Sequence, residues 1–124
     1  MDKVAGIEQA INSHALWMSR LRQAILDAQS LIDVEAIRAD DQCEFGKWLY
    51  GSRLSDGDRA SRYYQEVNRL HAEFHQAAAR VIELAASGKT RDAYELLYGD
   101  YITMSGRLAI AMRAWRDQLR ATVQ

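Results

Sequence analysis

Proline is absent from the 124 residues, and six of the seven glycines lie beyond residue 45. After Gly6 the first forty residues therefore hold no strong helix breaker, and no alternating apolar pattern competes for strands. No apolar run approaches the ~20 residues needed to cross a bilayer, and the start MDKVAGIEQA lacks the basic flank and apolar stretch of a signal peptide. A cytoplasmic protein with no membrane partner is expected. An excess of one charge is also missing. Sixteen Lys and Arg stand against 17 Asp and Glu, scattered along the chain, which argues against a nucleic-acid footprint. Cysteine is nearly absent, and Cys43, being solitary, cannot form an internal disulfide. A reducing compartment fits, and the thiol has to be apolar filler, a reactive nucleophile or a metal ligand.

What is present is enough apolar mass, 48% of the residues, for one folded unit, and 124 residues make one domain rather than two. Val4, Ile7, Ile11, His14, Met18, Leu21 and Ile25 step by threes and fours, which predicts a long first helix over about 2–29. Ala60, Tyr64, Val67, His71, Phe74, Ala78, Val81 and Ala85 predict a second, and Leu97, Tyr101, Met104, Leu108, Ala111 and Trp115 a third. Gly88 is placed to take a left-handed cap and Thr90 to cap the next helix, so the second and third helices run antiparallel across a short connection. A short helix is expected over 42–50, with Asp41 and Glu44 as a capping box and Gly51 as its stop, while 30–40 reads as a broken helical turn. The fold class is all-α, an antiparallel four-helix bundle with an additional short helix carrying Cys43.

His14 and His71 fall where these stripes ask for Leu, Ile or Val. A buried imidazole needs a partner for its ring nitrogens, and the usual one is a hydrogen-bonding neighbour. Here the third histidine, His75, follows His71 by four residues, which puts two imidazoles on one helix face a turn apart. With Cys43 the chain offers three nitrogens and one sulfur, a closed tetrahedral set of the kind zinc accepts. An early position in the short helix favours the thiolate form of Cys43. HAEFH lacks the glutamate placement of the zincin motif, and neither a c-type haem motif nor the carboxylate set of a di-iron bundle is present.

Three segments, His14-Ala-Leu-Trp17, Cys43-Glu-Phe-Gly46-Lys-Trp48-Leu49 and His71-Ala-Glu-Phe-His75, in this order resemble the signature segments of the chemoreceptor zinc-binding domain family. The resemblance implies His14, Cys43, His71 and His75 as zinc ligands. It also implies a helical, commonly dimeric regulatory domain that passes its zinc state to an attached or partner bacterial effector, a chemoreceptor or a diguanylate cyclase. Neither a methyl-accepting signalling helix nor a GGDEF-type cyclase sequence stands in the chain, so it reads as a free-standing member or a segment of a longer protein. Met1 favours a domain at the N-terminus with the effector beyond Gln124.

No catalytic residue is expected, because four protein ligands leave no open position for a substrate water. A redox sensor acting through a zinc-bound Cys43 thiolate and a purely structural dimerisation bundle are the alternatives. Trp17 and Trp48 are expected to shield the metal, Gly46 to let the short helix come close, and Gly99 with Gly106 to mark a close helix contact. Ile102, Ile110 and Leu119, unused by the core stripe, suggest a homodimer face.

Overall fold

The computed structural model describes residues 3–27, 37–39 and 43–122. Its elements are α1 (Lys3–His14), α2 (Trp17–Leu26), α3 (Glu44–Tyr50), α4 (Asp56–Ala60), α5 (Arg62–Ala86) and α6 (Thr90–Leu96). A π-helical turn (Leu97–Tyr101) then leads into α7 (Ile102–Thr122). No strand occurs among the described residues, and the fold is the expected all-α bundle.

The long helix α5 is the centre of the packing. Tyr64, Val67, Leu70, His71, Phe74, Ala78, Val81 and Ala85 are all buried along one stripe, so the three-and-four spacing of the sequence becomes the core seam. It packs against α7 and α2, while α1 lies along α7. Gly88 takes φ +78°, and Lys89 N–H donates to the Leu84 carbonyl at 2.9 Å, closing α5 with the left-handed cap read from the sequence. Thr90, by contrast, is the first residue of α6 rather than its cap. Lys89 occupies the cap position, with no side-chain hydrogen bond.

Other departures concern where helices break. The single first helix is in fact two, α1 and α2, separated at Ala15 and Leu16. No glycine or proline marks the break. It falls directly after His14, whose ring is anchored on α7, and there Leu16 N–H donates three residues back to Ser13 instead of four. Ala60 belongs to the separate helix α4, whose Ser55 and Asp58 form a reciprocal capping box; α5 starts afresh with Ser61 as N-cap. The short helix begins at Glu44, with Cys43 itself as the N-cap. Asp41, proposed as its cap, and most of 30–40 lie outside the described residues. Leu119, expected on an outer face, is buried in the core.

One close approach depends on a missing side chain. The Trp48 ring lies over Gly6 so tightly that a Cβ there would meet Trp48 Cε2 at 2.9 Å. Gly6 thus lets α3 seat its indole on the backbone of α1. Gly99 and Gly106 face open space, so they mark no close contact within the described chain.

Candidate metal centre

α5 carries His71 and His75 one turn apart, both almost fully buried. Their Nε2 atoms are 3.0 Å from each other, and each is 3.4 Å from Cys43 Sγ. Three donor atoms from two helices thus form a nearly equilateral triangle, and among the described residues they are the group able to hold a metal ion.

Each donor is fixed by its own surroundings. Cys43 has extended backbone angles, and its Sγ accepts the Gly46 N–H at 3.2 Å, a sulfur doing the work usually done by a Ser or Asp oxygen. That N–H and the start of the helix favour negative charge on the sulfur. His75 donates from Nδ1 to the Ile37 carbonyl at 2.6 Å, which leaves the Nε2 lone pair directed at the cluster. Burial, with His75 and His14 nearby, pushes His71 down to about 3, so this ring is neutral at pH 7 and in the form that ligates. Its Nδ1 is buried without a hydrogen-bond partner among the described residues.

Aromatic rings wall the cluster. Phe45 stands edge-on to His71 at 5.1 Å, Trp17 edge-on to His75 at 6.0 Å, and Phe74 touches His14, His71 and His75. Trp17 therefore lies where a shield is needed. Trp48 is one layer out, stacked on Phe45 and against Trp115. Phe45 and the Ile37 carbonyl are the parts that sequence reasoning missed.

His14 stands apart from the other three. Its Nε2 is 2.8 Å from Ser105 Oγ and 3.2 Å from the Ser105 carbonyl, and neither ring nitrogen belongs to the triangle. Burial lowers its pKa, with Arg113 and His75 acting in the same direction and the Ser105 carbonyl opposing. It nevertheless borders the same cavity of about 670 Å3 as Cys43, His71 and His75.

With the geometry in hand, the model of the chemoreceptor zinc-binding domain matches residues 14–82, just over half of the chain. The chain belongs to the chemoreceptor zinc-binding domain family. Comparisons with curated proteins and with solved structures find no match. The matched segment starts at His14 and runs past His75, while α6, the π turn and α7 lie beyond it.

Membership makes zinc the ion against which the triangle is to be tested. Zn–N bonds of about 2.0–2.1 Å and a Zn–S bond of about 2.3 Å at tetrahedral angles separate two nitrogens by about 3.3 Å and a nitrogen from a sulfur by about 3.6 Å. The observed edges of 3.0 and 3.4 Å fall within about 0.3 Å of these. The mixed donor set, the neutral His71 and the Nδ1 bond of His75 all suit zinc as well.

Proposed function

We propose that residues 1–124 form a single zinc-binding regulatory domain in which Cys43, His71 and His75, joined by His14, hold one zinc ion. Occupancy of that site is passed to an attached or partner bacterial effector, a chemoreceptor or a diguanylate cyclase, in the cytoplasm. The observation supporting this is the convergence of Sγ and two Nε2 atoms on the edges of one tetrahedron, from two separate helices. Zinc supplies a fixed cross-link between α3 and α5. Four protein ligands complete its shell, so the domain performs no catalysis of its own. The working unit in this reading is a homodimer, which the exposed Ile102 and Ile110 on α7 favour.

Metal analysis of the purified chain tests the first step. One zinc per chain, with an X-ray absorption shell of three nitrogens and one sulfur, is expected. Two sulfurs or an oxygen-dominated shell would refute it.

One observation favours a redox role for the same site. Cys43 is half-buried rather than sealed, and its sulfur takes a backbone N–H that stabilises the thiolate. In that reading an oxidant converts the thiolate to a sulfenic acid that coordinates poorly. Zinc release on oxidant challenge, at constant total zinc, separates it from simple zinc sensing.

A further inference from the structure

His75 owes the direction of its ligating nitrogen to a backbone oxygen. By donating from Nδ1 to the Ile37 carbonyl at 2.6 Å, the ring keeps its lone pair on Nε2, and the carbonyl fixes both tautomer and ring angle. Ile37 belongs to a described stretch of three residues, 37–39, so the place of its carbonyl needs a cause of its own. Two contacts supply one. The Ile37 side chain is half-buried against the core, and the next residue, Arg38, forms an ion pair with Glu83.

Glu83 lies on the same helix as His75, eight residues further on, which is about 12 Å along the axis of α5. The stretch is thus fastened to one helix at two levels, by a hydrogen bond at the metal cluster and by a charge pair beyond it. Glu83 takes Arg38 on one carboxylate oxygen and Arg80 on the other, the latter at 3.3 Å. Arg80 is itself part of α5, so of these two cations it is Arg38 that ties Glu83 to another part of the chain. Glu83 falls one residue past the segment that matches the family.

We propose that the Arg38–Glu83 ion pair is a positioning device for the metal site: it holds the Ile37 carbonyl where the Nδ1–H of His75 reaches it, and so keeps His75 ready to ligate. Arg38 and Glu83 are positioning residues that act through Ile37 and His75. This rests on the reading of the cluster as a zinc site. Their side chains are 41% and 31% exposed, so the pair is open to screening and its effect is bounded by the worth of a half-exposed ion pair. Zinc affinity thereby acquires an ionic-strength dependence from charges outside the ligand shell.

The test is zinc affinity by competition with a chromophoric chelator, on the whole chain, with circular dichroism as the fold control. At low salt Glu83→Gln and Arg38→Gln should each weaken binding about two- to fivefold, the range such a pair can be worth, and R38Q/E83Q should be no worse than either alone. Direction separates positioning from a long-range field. A bare charge effect on a divalent cation would make E83Q weaker and R38Q tighter, whereas lost positioning makes both weaker. Near 1 M salt, where the screening length is about 3 Å, the gap between wild type and variants should narrow.

The Nδ1 proton of His75 gives a second readout, which needs no metal. By NMR of the nitrogen-labelled, metal-free chain, it should exchange with solvent faster in R38Q and in E83Q than in wild type, while the backbone amides of α5 keep their protection. Opposite shifts in affinity for the two variants, an additive double variant, or a His75 proton exchanging at the wild-type rate in both would overturn the device. A wild-type chain that binds zinc while ignoring both substitutions defeats this inference alone, whereas one that binds no zinc defeats the proposed function with it.

Discussion

Phe74 touches His14, Trp17, His71, His75 and Tyr101, and is itself nearly inaccessible to water. A single ring therefore sets the distance between the histidines of α5 and the end of α1. The donors around it are unequally held. His71 and His75 sit on a 25-residue helix, whereas Cys43 caps one of seven residues. Replacing His71 or His75 by Ala should therefore weaken zinc binding more than Cys43→Ser. Each histidine loss should exceed the roughly 10- to 100-fold typical of removing a group that only orients a ligand. Equal losses in a chelator-competition titration would count against this ranking. At this scale the i, i+4 pair and the solitary thiol were legible, because both are local facts of sequence. The resting position of His14 was not. It is decided by Ser105, 91 residues away, and no periodicity in α1 encodes that partner. The Ile37 carbonyl was equally hidden, since a backbone oxygen has no sequence signature.

Among the elements, α3 is the most dependent on its neighbours. Seven residues are too few for a helix to persist alone in water, so α3 stays formed through Leu49, Trp48 and the Cys43 cap. In the proposed function zinc acts as a clasp on its first residue. Chelation should raise amide exchange over residues 43–50 while α5 stays protected, measured by hydrogen–deuterium exchange with and without zinc. A uniform change over the domain, or none near Cys43, would defeat the clasp. Long stripes such as that of α5 were legible because burial repeats at the helical period. The π turn and the break between α1 and α2 were not, because nothing in their local sequence forbids a straight helix. The signal for α4, Ser55 followed by Asp58, was present and is a capping pair easily passed over in so short a segment.

For the whole molecule, the core contains buried residues of α1, α2, α5 and α7 that owe nothing to the metal cluster, Ile7, Leu21, Val81 and Trp115 among them. Removing zinc should therefore lower the melting temperature yet leave the helical circular dichroism. Linkage gives about 2.7 kcal/mol of stabilisation at free zinc 100 times the dissociation constant. Collapse of the helical signal in chelator would show instead that metal nucleates the fold. Association is tested at Ile110, which is 67% exposed. Ile110→Asp should convert the proposed homodimer to a monomer by light scattering at tens of micromolar, while a wild-type monomer would refute the dimer outright. Trp48, pressed onto the bare backbone of Gly6 and 5.7 Å from Trp115, has an optical consequence. Its indole is an intrinsic fluorophore fixed to the one helix that zinc would clasp. Lifting α3 should wet that ring and shift its emission to the red, a change that Trp48→Phe would abolish, so the chain supplies its own unlabelled readout of whether the clasp is shut.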